Sequence, residues 1–271
     1  MKTVVVKKNT KVDSINKALD LIEDWGTIIV FPGIYEEKIK VIKNGVTLRG
    51  FNPQNTIITN GDYAKKIHED GMEYNTFRTY TLLLLGNGIR LQNLQIVNSS
   101  GPGKIYGQAV ALATLGDLIH IENCILDAYQ DTLFLGPLPE DLIERYQDFL
   151  PQDELIFIHN ARVNIKDSVI NGDVDFIFGC ANALFENCLI NSKGSGYIAA
   201  PATPKDQAYG LTFINCCFQG EGSENTFLAR PWRDYGMASF INCLYNQHIR
   251  KEGFNKWEGT KRNKTCRFYE Y

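Results

Sequence analysis

Two short strings of this sequence place acids where acyl chemistry is possible. They are Asp175-Phe176-Ile177-Phe178-Gly179 and, upstream, Gln130-Asp131-Thr132-Leu133. A carboxyl group set among bulky apolar neighbours is costly to ionise, so one member of such a pair can stay protonated near neutral pH. A hydrolase uses that arrangement with one Asp as nucleophile and the other as general acid. Taken singly, either Asp reads more simply as a buried, hydrogen-bonded residue at a strand end. Other catalytic sets fail. The chain has no Gly-x-Ser-x-Gly elbow, and His68, His120, His159 and His248 match no triad or metal spacing. Gly101-Pro102-Gly103 opens like a dinucleotide loop, but Tyr106 stands where the third Gly is needed.

The elements that must position these acids show in a repeat. Ile121-Glu122-Asn123-Cys124, Phe185-Glu186-Asn187-Cys188, Phe213-Ile214-Asn215-Cys216 and Phe240-Ile241-Asn242-Cys243 are versions of one phrase. The Phe residues of the last three are 28 and 27 residues apart, a solenoid spacing. Leu91-Gln92-Asn93-Leu94 and Ile165-Lys166-Asp167-Ser168 are degenerate copies. Each unit is a short β run with one Asn at a bend, and stacking like on like predicts an all-β fold, a single-stranded right-handed parallel β-helix. A propeller would need about 40 residues per repeat. Asp13 to Trp25 reads as an amphipathic helix capped by Asp13, with Ile15, Ala18, Leu19 and Ile22 as its apolar stripe. It is expected to close the N-terminal end of the solenoid, where an open edge would otherwise invite pairing. Thr27 to Phe31 is expected as the first strand.

Composition bounds the rest. At 271 residues and 44% hydrophobic content, one domain spanning 1–271 is expected. A net charge of −3 gives no reason to expect nucleic acid or anionic membrane as partner, and no stretch approaches the roughly 20 apolar residues of a membrane span. The seven cysteines have no C-x-x-C or Cys/His spacing, so no metal and no cofactor are expected. Free thiols inside successive repeats suit a reducing compartment. The run after Met1 is shorter than the apolar region of a secretory signal, which favours a cytoplasmic location, the alternative being secretion with the signal removed.

Three further strings, Gly33-Ile34-Tyr35-Glu36-Glu37, Gly107-Gln108-Ala109-Val110-Ala111-Leu112 and Leu228-Ala229-Arg230-Pro231-Trp232, join the two acid strings in order along the chain. Together the five blocks resemble the signature blocks of the pectin methylesterases, carbohydrate esterases that demethylate polygalacturonate. The resemblance runs from about residue 4 to 271. It implies Asp175 as nucleophile on the methyl-ester carbonyl, and Asp131 as general acid to methanol and then base to water. It further implies Gln108 and Gln130 as oxyanion donors, Arg230 as the group that keeps the nucleophile charged, and Trp232, Phe178, Phe134 and Tyr106 as substrate-binding residues. The implied partner is a methylated galacturonide or pectin chain, acted on by a monomer. A glycosidase or lyase on the same scaffold, a non-catalytic carbohydrate-binding β-helix and a thioesterase relative are the alternatives.

The sequence departs from that pattern in three places. Phe134 replaces the usual Tyr, and the chain stops at Tyr271 where relatives continue, which implies a shorter C-terminal wall to the groove. An acidic insertion at about 136–160 stands where many relatives have a short turn. Pro139 and Pro151 bracket an expected helix with Leu142, Ile143, Tyr146, Phe149 and Leu150 on one side. Placed beside the active site, its Asp and Glu residues are expected to disfavour a polyanion and to favour short, still-methylated oligomers.

Overall fold

The repeated phrases stack. In this computed structural model, which describes residues 2–271, the Phe, Ile and Leu of each phrase align across ten parallel strands. Met1, part of the run read for a leader segment, lies outside the described residues. Val4, Ile28, Leu48, Leu91, Ile121, Ile165, Phe185, Phe213 and Phe240 are consecutive register partners, and all are buried. At the C-terminal end this column becomes an aromatic stack, with Phe185–Phe213 and Phe213–Phe240 centroids 4.5 and 5.0 Å apart. Side chains alternate across a strand, so parallel pairing in register puts like on like from one turn to the next.

The remaining strands form a second, branched parallel sheet. One arm contains Gly33–Glu36, Thr56–Asn60, Gln95–Asn98 and Ile125–Asp127; the other contains Ile39–Val41, Leu82–Leu84, Leu112–Thr114 and Leu133–Leu135. Both meet on Val169–Gly179, which pairs along its length with Leu189–Pro201. The result is a right-handed parallel β-helix in which two long strands pass from one face to the next without a break. The register slips between Gly172 and Ile177, and Asp175 sits in that irregularity.

The bend after each phrase is a left-handed residue. Asn93, Asn123, Asp167, Asn187, Asn215 and Asn242 all have φ between 49° and 58°, a conformation that Asn and Asp tolerate better than other side chains. Asn123, Asn187 and Asn242 each donate from Nδ2 to the preceding Asn93, Asp167 and Asn215 at 2.8, 3.2 and 2.6 Å. The predicted alignment of Asn residues along one edge is present, with Asp167 filling one rung.

Two details differ from the sequence reading. The first strand is Thr3–Val6, which pairs with Thr27–Val30, because Val4 and Val6 face the core. The helix is Ile15–Leu21, and its cap is Ser14, whose hydroxyl accepts from Lys17 N–H, while Asp13 pairs with Lys17 Nζ. Ile15 and Ala18 are buried, and the helix packs on the terminal strand Thr3–Val6 and its neighbour Thr27–Val30. Glu37 supplies a second cap, accepting from the Ile15 and Asn16 N–H groups at 2.9 Å each.

The insertion folds onto the outer face of the second arm. It contains the helix Glu140–Arg145 and a short turn at Gln152–Glu154. Leu138, Leu142 and Leu150 are buried against Leu83, Ala113, Phe134 and Phe178, the outward side chains of that arm. A two-sided sheet arm buried on both faces reads as a continuous apolar run, as Leu82-Leu83-Leu84 and Leu133-Phe134-Leu135 do.

Candidate active site

The acids meet where the second arm turns its outer face to the C-terminal loops. A cleft of about 590 Å³ is lined there by Gln108, Gln130, Asp131, Asp175, Arg230 and Trp232, among others. Four separate strings of sequence therefore converge because adjacent turns of the solenoid place them on neighbouring rungs. Asp131 and Asp175 both have left-handed backbones, φ 67° and 50°. Strain of this kind persists only where surrounding structure enforces it, and the Asp131 N–H bond to the Val174 carbonyl (3.1 Å) links the two turns.

The two carboxyl groups have different surroundings. Arg230 grips Asp175 in a fork, Nε to Oδ1 at 2.7 Å and Nη2 to Oδ2 at 2.5 Å. Its guanidinium lies between the rings of Tyr197 and Trp257, 3.8 and 4.0 Å from their centroids. Asp131 is 8% exposed and has no such partner among the described residues. Burial pushes the Asp131 carboxyl well above the usual carboxylate range, and the nearby Asp175 adds to the shift while Arg230 opposes it. Burial also raises Asp175, but there the hydrogen bonds and charge of Arg230 pull back. The shared proton of the pair therefore belongs on Asp131, and the charge on Asp175.

Gln108 and Gln130 are half-buried at the cleft, and the Ala109 N–H donates to the Gln130 carbonyl at 3.0 Å, fixing the two on adjacent turns. Phe178 packs edge-on against Trp232 with centroids 5.6 Å apart, forming the apolar side of the cleft. Two expected substrate contacts fall elsewhere. Phe134 is 2% exposed and lies between Phe77 and Phe178 beneath the insertion, which covers it with Leu138 and Leu142. Tyr106 ends the short helix Gly103–Tyr106, packs against Tyr63 and does not line the cleft. Conversely, Tyr197, Trp257, Arg145 and Arg262 were not singled out from sequence. Trp257 carried a usable signal as one of three Trp residues, but no motif tied it to Arg230.

The pectinesterase family model matches residues 2–137 and 142–271, so that between its two stretches only residues 138–141 are unmatched. The chain belongs to the pectinesterase family. Pectinesterase 31 of Arabidopsis thaliana is 30% identical over 270 residues, 95% of this chain and 77% of that protein. Other plant relatives, described as probable pectinesterase/pectinesterase inhibitor proteins, are longer, and this chain covers 44% of their length. A pectin methylesterase solved in complex with a hexasaccharide superposes with a TM-score of 0.84 at 25% identity, covering 100% of this chain and 88% of the other. The pectin methylesterase of Yersinia enterocolitica gives 0.80 at 27% identity over 95% and 88%. The pectinesterase fold thus accounts for the whole stack.

Proposed function

We propose that this pectinesterase hydrolyses methyl esters of galacturonate chains, with Asp175 as nucleophile and Asp131 as general acid and then base. The observation that carries the reading is the asymmetry of the two carboxyl groups: one held charged by a forked Arg230, the other buried without a cation of its own. In the first step an Asp175 oxygen attacks the ester carbonyl carbon, and the amides of Gln108 and Gln130 donate to the developing oxyanion. Each such donor contributes about 3 kcal/mol at acyl-transfer sites. The bond to the methoxy oxygen breaks, Asp131 gives that oxygen its proton, and methanol leaves an acyl anhydride on Asp175.

In the second step the Asp131 carboxylate takes a proton from water as the water oxygen attacks the acyl carbon. The anhydride bond breaks, Asp175 returns as carboxylate and the sugar carries a free acid. Trp232, backed by the buried Phe178 ring, supplies the apolar surface for the sugar ring. The test is methanol release from methylated oligogalacturonides with chain length monitored in parallel. Methanol without shortening supports the reading; shortening without methanol would replace it by a glycosidase or lyase. We also propose a reducing compartment, because all seven cysteines are free and Cys124, Cys188 and Cys216 are buried inside the stack. Fractionation of the source cells tests that.

A further inference from the structure

The fork to Asp175 uses the edge of the Arg230 guanidinium and leaves its two flat faces, and an aromatic ring covers each. The two rings differ in origin. Trp257 comes from a C-terminal loop and lines the cleft, where a substrate can touch it. Tyr197 comes from the long strand Leu189–Pro201 and does not line the cleft. Whatever Tyr197 does for the reaction, it does through Arg230.

The β-helix builds Tyr197 into this place. Tyr197 is the register partner of Val174 on one side and of Phe227 on the other. The next pair, Ile177 with Ala199, leaves Asp175 and Phe176 opposite the one residue Ile198, the two-against-one count of a bulge. Tyr197 therefore flanks the irregularity that turns Asp175 to the cleft. Gly196 lets the strands approach here, because a Cβ at that position would overlap the Asp173 carbonyl oxygen. Phe227 steadies the Tyr197 ring, stacked 7° from parallel with centroids 5.6 Å apart, and Phe227 in turn carries Arg250 at 4.9 Å. The contact with Arg230 is made by the ring face, 3.8 Å from its centroid, and not by the hydroxyl.

Resting on the esterase reading, we propose that Tyr197 is a positioning residue of the active site: its ring holds the Arg230 guanidinium in the plane of the fork to Asp175 and shields that face from water. A cation is attracted by the quadrupole of a ring face, and an ion pair shielded from water is stronger than an open one. Other charged and titratable groups lie near Asp175. Asp131 faces it from the preceding turn, Asp173 stands two residues before it on its own strand, and across the cleft lie Arg145, Arg262 and the Asp141–Arg233 pair. Among the described residues, Arg230 alone bonds the Asp175 carboxylate. Loosening Arg230 therefore raises the Asp175 pKa, and the carboxylate is protonated at a higher pH as acid is added.

Titration of the Asp175 carboxyl by carbon-13 NMR, assigned through Asp175→Asn, tests the proposal with no substrate present. Tyr197→Phe keeps the ring face and should titrate as the wild-type chain does. Tyr197→Leu keeps apolar bulk without a π face, and its Asp175 should titrate about 0.5–1 pH unit higher, the size of one cation–π contact. In methanol release the acid limb of Tyr197→Leu should move up by the same amount, and kcat should fall about 3- to 10-fold. KM should stay unchanged, because Tyr197 does not line the cleft. Should Tyr197→Leu fail to fold, pentafluorophenylalanine at position 197 keeps the ring's shape, reverses its quadrupole and is expected to give the same upward shift. Asp175 titrating at the wild-type pH in a folded Tyr197→Leu chain, or in the pentafluorophenylalanine one, would overturn the proposal. So would a shift in Tyr197→Phe as large as that in Tyr197→Leu. Absence of methanol from the wild-type chain would instead overturn the esterase reading, and the titration would still decide the role of Tyr197.

Discussion

Two edges of this β-helix use the same backbone conformation for opposite ends. Along one, Asn93, Asn123, Asp167, Asn187, Asn215 and Asn242 adopt positive φ, and their side chains pair with one another down the stack. Along the other, Asp131 and Asp175 adopt positive φ and turn carboxyl groups toward a cleft. The first edge satisfies its side chains with hydrogen bonds between neighbouring turns. The second leaves one acid to an arginine fork and the other to burial, so that polarity is unbalanced where a substrate can enter. A bend becomes a site when its side chain is ionisable and its neighbours on the stack do not neutralise it.

Neutralising the acids of the cleft edge should abolish turnover while leaving the Asn edge intact. Asp175→Asn and Asp131→Asn should each lower kcat by about 10³-fold or more, because the first removes the nucleophile and the second the proton donor. Methanol release under saturating substrate measures both. A smaller effect is expected from Arg230→Lys, about 10²-fold in kcat/KM, since a point charge cannot reproduce the fork. The pH profile gives this variant a separate signature. Arg230 lowers the Asp175 pKa against burial, so its loss moves the acid limb of activity to higher pH.

On the structural edge the effect should fall on stability. Asn215→Ala loses the hydrogen bond from Asn242 and puts Ala at φ 52°. The cost should be about 1–3 kcal/mol in denaturant unfolding, with Asn215→Gly losing less.

The smallest expected effect concerns stability against pH. The Asp131 pKa is raised on folding, so the folded state binds the extra proton and its contribution to stability is full only below the unfolded value, about 4. That contribution is lost as pH climbs to the folded value. Asp131→Asn should therefore flatten the decline in thermal midpoint between acid and neutral pH.

The same contrast explains what the sequence made legible. The Asn edge repeats with a near-constant period, and repetition survives as text; even the Asp167 rung was visible as a degenerate copy. The acids, amides and Arg230 stood in strings specific enough to be matched, and the cleft gathers all of them. The cleft's other contents depend on which loop folds back where. Trp257 reaches Arg230 across the C-terminal loops, and Arg145 is delivered by an insertion whose composition has the opposite sign. Phe134 misled because its string sits next to the catalytic one, while the insertion's Leu138 and Leu142 bury its ring. Gly33-Ile34-Tyr35-Glu36-Glu37 proved structural: Glu37 caps the helix and the Tyr35 hydroxyl donates to the Phe31 carbonyl at 2.9 Å.

Acylation of Asp175 is open to direct observation with an ester that carries a good leaving group. In Asp131→Asn, a 4-nitrophenyl galacturonate ester needs no proton for departure, while the base for the second step is gone. Rapid mixing should give a burst of nitrophenolate equal to the enzyme concentration, and mass spectrometry of the quenched protein should place one galacturonoyl group on the peptide containing Asp175. Linear release with no adduct, or an adduct on another residue, would contradict the account.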